Sequence, residues 1–280
     1  MKLVRHGQPG AEKPGILDRD GQIRDLSSVV PDIAGASLGR ATMARLRGVE
    51  VETLPVVAAG VRLGACVGHV RNFVAVGLNY ADHAAETGAA IPPEPILFNK
   101  APSCIVGPND DVQIPRGSTK LDWEVELAVV IGDTCSYVEE KDALSYVAGL
   151  CVCNDVSERA FQIERGGTWT KGKSHDTFGP VGPWLVTRDE IADPQKLSMW
   201  LDVNGERRQT GNTSTMIFTV AKCIAYVSQF MTLLPGDIVT TGTPPGVGGG
   251  MKPPKFLNVG DIVTLGIDGL GAQRQEIIAA

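Results

Sequence analysis

The chain has 280 residues, of which 43% are hydrophobic and 21% are charged, a composition typical of a globular protein with a sizeable core. Its net charge is -6 and its 26 lysines and arginines are scattered, so we expect no nucleic-acid partner, because phosphate backbones need a concentrated basic surface. No apolar run reaches the roughly 20 residues that span a bilayer, and the N-terminus MKLVRHGQPG has no apolar signal segment. We therefore predict a cytoplasmic protein with no membrane partner.

Residues 1–70 are predicted to form a small N-terminal α+β domain. The strand MKLVRH comes first, and PGILDRDGQIRDL predicts a hairpin that turns at Asp20 and Gly21. ARLRGVE then predicts a short helix, followed by a linker through Pro55. Nothing in this part of the chain indicates catalysis.

Residues 71–280 are predicted to form a β-rich catalytic domain, which places the whole chain in the α+β class. Apolar runs between Gly, Pro and Asp turns predict strands at FVAVGL, VELAVVIG, GPWLV, MWLDVNG, DIVTTG and DIVTLGI. Helices are predicted at YADHAAETG, EEKDALSYVAG, SERAFQIERG and MIFTVAKCIAYVSQFM. The six cysteines form no C-x-x-C pair, so we expect buried free thiols.

The segment Leu121 to Ile131 alternates apolar and acidic residues, as a strand with one apolar face does. Glu124 and Glu126 then lie about 7 Å apart on the other face, where both can reach one hard cation. A solvated edge strand whose charges oppose aggregation is an equally physical explanation of this pattern.

Asp155 follows an apolar run, as if a buried strand ended there with a carboxylate directed into a cavity. Together with Glu124 and Glu126 it would complete an all-oxygen site that suits Mg²⁺ or Mn²⁺ better than zinc or copper. The alternative is that Asp155 caps the N-terminus of the helix predicted at SERAFQIERG.

His83 lies three residues before Glu86, so both fall on one face of a short helix. A carboxylate beside an imidazole fixes its tautomer and raises its basicity, which suits a general base that activates water. The alternative is a solvated surface pair that contributes a few tenths of a kcal/mol.

Two loops complete the candidate site. Lys173, in KGKSHDTFGP, can stabilise a carboxylate or an enolate, although most loop lysines are solvated. The loop TTGTPPGVGGG lacks the Gly-Lys-Ser/Thr ending of a phosphate-binding loop, and its prolines remove amide donors, so we expect no nucleotide there. Its backbone amides and the Thr243 hydroxyl can still bind a carboxylate.

Five segments in this order, GLNYADHAAE, LDWEVELAVVIG, NDVSERAFQ, KGKSHDTFGPVGP and TTGTPPGVG, resemble the fumarylacetoacetate hydrolase family over about residues 70 to 270. The resemblance implies a mixed β-sandwich or roll, usually in a homodimer, with Mg²⁺ or Mn²⁺ in the site. The roles it implies are metal ligands at Glu124, Glu126 and Asp155, a water-activating pair on a mobile lid at His83 and Glu86, a lysine near the metal at Lys173, and substrate contacts at Arg159, Gln162 and Thr243. Lys100 has no secure role, because Ala101 follows it where many relatives have proline.

The small N-terminal domain and the long TGTPPGVGGGMKPP loop look like members that hydrolyse 2,4-dioxo-3-deoxy sugar acids of the rhamnonate and fuconate type. The expected products are pyruvate and a hydroxy acid such as lactate, from water that His83 deprotonates and directs at the C4 carbonyl. The alternatives are an acylpyruvate hydrolase, a family lyase, decarboxylase or isomerase, and a metal-binding protein without turnover. In each enzymatic case the partner is a small 2-oxo acid.

Overall fold

The computed structural model describes the backbone of all 280 residues and every side chain except that of Thr87. Its helices are α1 (Arg40–Arg47), α2 (Ala81–Thr87), α3 (Thr170–Lys173) and α4 (Val220–Val227). Its strands are β1 (Lys2–His6), β2 (Lys13–Leu17), β3 (Ile23–Asp25), β4 (Phe73–Gly77), β5 (Ile96–Lys100), β6 (Ile105–Val106), β7 (Val112–Ile114), β8 (Leu121–Asp122), β9 (Val125–Ile131), β10 (Val147–Asn154), β11 (Ser157–Glu158), β12 (Gly179–Thr187), β13 (Ser198–Val203), β14 (Glu206–Asn212), β15 (Ile238–Thr240), β16 (Ile262–Ile267) and β17 (Gly271–Ala279).

Two packed sheets form the body of the protein. The larger has the order β3-β2-β1-β12-β10-β9-β15-β4-β5, with β6 beside β12, and the smaller has the order β14-β13-β16-β17-β7. Strands β13, β16 and β17 lie against β9, β10 and β12, so the core sits between the smaller sheet and the middle of the larger one. The expected α+β class with a mixed β-sandwich or roll is confirmed.

Strand β9 lies in the middle of the larger sheet, where β10 pairs antiparallel on one side and β15 on the other. All of its residues are buried, including Glu126. The solvated edge strand is therefore wrong as an explanation of the acidic pattern, because both edges of β9 are hydrogen-bonded and both faces are covered.

The helix expected at EEKDALSYVAG is wrong for its last three residues, which belong to a strand. Residues Glu140–Tyr146 form a 3₁₀ helix, and the chain then continues as β10, because its apolar residues fill a central strand of the larger sheet. The helix expected at SERAFQIERG begins instead with β11 and continues as a short π-helix, Ala160–Glu164, and α4 is shorter than the pattern MIFTVAKCIAYVSQFM predicts. The alternative N-cap role of Asp155 is wrong, since β11 lies between Asp155 and the π-helix, whose N-cap is Arg159.

The N-terminal strands extend the larger sheet, because β1 pairs antiparallel with β12 and with β2. The expected hairpin is confirmed: β2 pairs with β3 through a turn in which Asp18 and Gln22 are hydrogen-bonded. A division of the chain at residue 70 stays a prediction. Among the described residues, no helix is long and apolar enough to cross a membrane.

Candidate metal centre and the cavity above it

Three buried carboxylates meet where β9 begins and β10 ends. Glu126 belongs to β9, Glu124 precedes that strand, and Asp155 directly follows β10. Ligand oxygens of all three lie within 4.8 Å of one another. Oxygen ligands of one Mg²⁺ or Ca²⁺ ion stand about 2.0–2.6 Å from it, and hence at most about 5 Å from each other, so this spacing suits a single ion.

Glu124 reaches the cluster because the chain departs from regular strand geometry between β8 and β9. The preceding residue, Trp123, is 2% exposed and its Nε1 donates to the Gly246 carbonyl at 3.0 Å, which fixes the departure. The Glu124 carbonyl accepts from the Asp155 N–H at 2.9 Å, so these two carboxylate-bearing segments are joined through their backbones.

Two buried lysines neutralise part of the cluster. Lys173 Nζ lies 2.7 Å from Glu124 Oε2 and 2.7 Å from Asp155 Oδ2, so the solvated-loop alternative for this lysine is wrong. Lys100 Nζ lies 2.6 Å from Asp155 Oδ1 and also donates to the backbone carbonyl of Lys173. Sequence reasoning left Lys100 without a role, although a lysine that ends the largely apolar strand ILFNK is itself a signal of a buried partner.

Arg159 contacts the carboxylate cluster through its guanidinium group. Its Nε donates to Asp122 Oδ2 at 2.7 Å, and its Nη2 lies 2.7 Å from Glu124 Oε1, close enough for an ion pair although the angle does not suit a hydrogen bond. Its Nη1 donates to Gln162 Oε1 at 3.1 Å. The guanidinium is thus already held by protein groups on the side that faces the carboxylates, and its expected contact with substrate stays a prediction.

The electrostatics fit a bound cation. Burial raises the pKa of Glu124, but the ion pairs with Lys173 and Arg159 outweigh it and bring this pKa to about 2. Burial and the neighbouring carboxylates of Asp155 and Glu124 raise the pKa of Glu126 well above its ordinary value. Glu126 is therefore the carboxylate with least compensation, and a divalent cation with oxygen ligands would supply the missing charge.

The loop after β15 holds Glu126 from a third direction. The Gly242 N–H donates to Glu126 Oε2 at 3.0 Å, from a backbone with φ +88°, which favours glycine. The Thr243 hydroxyl donates to the Val125 carbonyl at 3.0 Å and accepts from Gln209 Nε2 at 2.8 Å. Since its proton is thus engaged, the expected contact of this hydroxyl with a substrate carboxylate stays a prediction.

Helix α2 carries the candidate base and ends at Gly88 in the left-handed conformation. His83 Nδ1 lies 3.2 Å from Glu86 Oε2, and both Glu86 oxygens lie 3.1 Å from the Gly246 N–H. His83 is only 8% exposed and faces the same cavity as the carboxylates. The solvated-pair alternative does not describe this imidazole, and its role as a general base stays a prediction.

A cavity of about 480 Å³ lies above the cluster. His83, Glu124, Glu126, Asp155 and Lys173 line its polar end, whereas its walls are largely apolar and aromatic. Arg159, Gln162 and Thr243, the predicted substrate contacts, also line this cavity. Of the predicted site residues, Glu86 alone is not in the lining, and it contacts His83, which is.

This fold, with a buried three-carboxylate cluster at the base of a cavity, defines a class of candidate metal-dependent enzymes. Residues 72–278 match the family model described as fumarylacetoacetate (FAA) hydrolase, C-terminal, and the chain belongs to this family.

Similar proteins cover the whole chain. A protein of Burkholderia cenocepacia that is named only as a hydrolase is 64% identical over 276 residues, which cover 98% of each chain. A fumarylacetoacetate hydrolase from Exiguobacterium antarcticum is 38% identical with a TM-score of 0.87, and the match covers 100% of both chains.

Two further similar structures belong to enzymes with different reactions. A 5-carboxymethyl-2-hydroxymuconate delta-isomerase from Mycobacterium smegmatis is 31% identical, with a TM-score of 0.78 and full coverage of both chains. A maleylpyruvate hydrolase from Sphingobium, described in complex with manganese(II) and pyruvate, is 29% identical, with a TM-score of 0.80 and full coverage of both chains. Membership of the family therefore leaves the reaction to be argued from the site.

Proposed function

We propose that this protein is a divalent-metal-dependent hydrolase that cleaves the C3–C4 bond of a 2,4-dioxo acid. The observation that carries this proposal is that one cavity is lined by both the carboxylate cluster and His83, which Glu86 orients. A site of this kind places a general base opposite a site for a cation. The manganese and pyruvate named for the Sphingobium enzyme support the same substrate class.

Each of these residues has a separate role in the proposed reaction. Glu124, Glu126 and Asp155 would hold Mg²⁺ or Mn²⁺, which when bound supplies a Lewis acid for the 2-oxo acid end of the substrate. His83 takes a proton from water through Nε2, while Glu86 fixes the proton on Nδ1. The water oxygen bonds to C4, the C3–C4 bond breaks, and its electron pair stays on C3.

Lys173 is placed to stabilise the negative charge that develops on the pyruvate half. Its ammonium group has three N–H donors, and two of them point at Glu124 and Asp155. The third can serve a substrate oxygen in the cavity. Protonation of C3 then gives pyruvate, and C4 leaves as the carboxyl carbon of the second acid.

The cavity walls favour an apolar or planar acyl tail. Phe98 and Trp169 stack edge to face with ring centroids 5.1 Å apart, and Leu78, Val247 and Phe256 line the same space. The sugar-acid tail expected from the sequence depended on free polar groups at Arg159 and Gln162. Arg159 is committed to Asp122 and Glu124, so Gln162 is the polar group that still supports the sugar acid as the second candidate.

The test is direct competition between acetylpyruvate and a 2,4-dioxo-3-deoxy six-carbon sugar acid, with Mn²⁺ supplied. We expect hydrolysis of acetylpyruvate to acetate and pyruvate, with the higher kcat/KM. If the sugar acid is preferred, Gln162→Leu should reduce kcat/KM for it alone, because a site that pairs hydroxyls discriminates by up to about 10⁴. Cleavage of neither acid would count against the hydrolase.

Two other outcomes are distinguishable in the same assay. Release of CO₂ from oxaloacetate, or a shift of the substrate double bond without cleavage, would indicate a decarboxylase or an isomerase. Mn²⁺ binding without turnover of any 2-oxo acid would indicate a metal-binding protein. We also propose a homodimer, which sedimentation of the purified protein can check.

A further inference from the structure

A row of buried side-chain amides connects the smaller sheet to the candidate metal centre. Gln275, on β17, accepts from Asn154 Nδ2 through its Oε1 at 3.1 Å. Asn154 Oδ1 in turn accepts from the backbone N–H of Glu124 at 3.2 Å. Asn154 is 1% exposed and Gln275 is fully buried, so solvent cannot replace either hydrogen bond.

Asn154 acts where the ladder between β9 and β10 stops. The last paired residues of that ladder are Val125 and Asn154, so the N–H of Glu124 lies beyond the regular backbone pairs. Asn154 Oδ1 accepts a hydrogen bond from this N–H, and the neighbouring Asp155 N–H donates to the Glu124 carbonyl at 2.9 Å. The peptide units around Glu124 are thus held on both sides by residues 154 and 155, the segment that also carries the carboxylate of Asp155.

The other contacts of Gln275 fix which way the Asn154 amide faces. Gln275 Nε2 donates to the Pro108 carbonyl and to Gln273 Oε1, so its oxygen must face Asn154. Gln273 Nε2 donates to the carbonyls of Val152 at 2.8 Å and Gly182 at 3.0 Å, which fixes its own orientation. Carbonyl oxygens accept hydrogen bonds but cannot donate them, so each side-chain amide in the row has one possible orientation. Asn154 therefore presents Nδ2 to Gln275 and Oδ1 to Glu124.

We propose that Asn154 and Gln275 are positioning residues that set the separation of Glu124 and Asp155, and thereby the affinity of the site for a divalent cation. The inference rests on the metal site of the proposed function. Asn154 bonds the backbone of Glu124, while Gln275 acts through Asn154. Groups of this kind, which orient metal ligands, typically change metal affinity 10–100-fold when they are removed.

The test measures the Kd for Mn²⁺ in metal-free protein, by electron paramagnetic resonance titration of free Mn²⁺, for wild type, Asn154→Ala and Gln275→Met. We expect both variants to bind Mn²⁺ about 10–100-fold more weakly. Thr187→Val is the control: it removes a fully buried hydroxyl that accepts from the Met1 amino group, where β12 pairs with Gly149 at the other end of β10, and it leaves the Gln275–Asn154–Glu124 connection in place. For this control we expect the Kd for Mn²⁺ to change by less than about 3-fold, which is below the 10–100-fold range expected for the two test variants.

Circular dichroism and thermal unfolding establish that each variant is folded. If Asn154→Ala does not fold, Gln275→Met carries the test, because Asn154 remains present. Folded variants with the wild-type Kd would overturn the positioning role while leaving the proposed function intact. An equal loss of Mn²⁺ affinity in Thr187→Val would mean that any lost buried hydrogen bond weakens the site, and would overturn the positioning role. A wild type that binds no Mn²⁺ would overturn this inference and the metal-dependent function together.

Discussion

Replacing Lys100 tests whether the buried carboxylates of the site need a buried positive charge to remain stable. Its ammonium group is buried, lies 2.6 Å from Asp155 Oδ1 and also donates to the Lys173 carbonyl. Burial lowers the pKa of Lys100, but the Asp155 carboxylate outweighs this and raises it above the ordinary value, so the side chain is charged at neutral pH. Lys100→Met has nearly the same shape and removes only the charge and its hydrogen bonds.

The expected loss of stability is large. Removing one partner of a buried ion pair costs about 3–5 kcal/mol, because the remaining charge stays buried. Asp155 keeps its contact with Lys173 at 2.7 Å, which holds the loss within that range. In a chain of this size each kcal/mol corresponds to roughly 2–4 °C, so we expect a Tm about 10 °C lower in metal-free protein.

Added Mn²⁺ should reduce this deficit. With all groups ionised, Asp122, Glu124, Glu126 and Asp155 face Lys100, Lys173 and Arg159, which leaves one negative charge in excess, and Lys100→Met raises the excess to two. Thermal unfolding with and without Mn²⁺ measures both effects, with Lys196→Met as control because that side chain is 78% exposed. A metal-free loss below about 1 kcal/mol would contradict the buried-pair argument.

Three further predictions concern the metal, the base and the thiols. Chelation should abolish activity and added Mg²⁺ or Mn²⁺ should restore it; Glu126→Gln should lose metal affinity without losing stability, because the raised pKa of Glu126 already favours its neutral form in metal-free protein. His83→Ala should lower kcat by ~10² to 10⁴ with the Kd for Mn²⁺ unchanged, and a near-normal kcat would return His83 to a structural role. Burial raises the pKa of Cys104 to about 11 and that of Cys223 to about 12, and all six cysteines are free and buried, so a disulfide reagent at pH 8 should react only after denaturation; rapid reaction of native protein would refute this.

Local sequence patterns correctly predicted those strands and helices in which the spacing of apolar residues matches the buried face in the folded protein. The strands β1, β4, β9, β13 and β16 and the helix α2 lie where the sequence places them, because an alternating or helical pattern is sufficient for an element of one kind. The pattern failed for EEKDALSYVAG and SERAFQIERG. Their residues tolerate a helix, but pairing with β9 and with β8 decides for strands at residues 147–154 and 157–158.

The sequence alone determined the kinds of group in the site: carboxylates at Glu124, Glu126 and Asp155, an imidazole beside a carboxylate, and a lysine. Only the tertiary structure decided that these groups share one cavity, since residues far apart in the chain meet through β9, β10, α2 and α3. It also gave Lys100 its partner and placed Arg159 beside Asp122 and Glu124. The physical reason is that a buried charge acquires its role from the charges packed against it, and those are set by long-range sheet pairing that no local pattern contains.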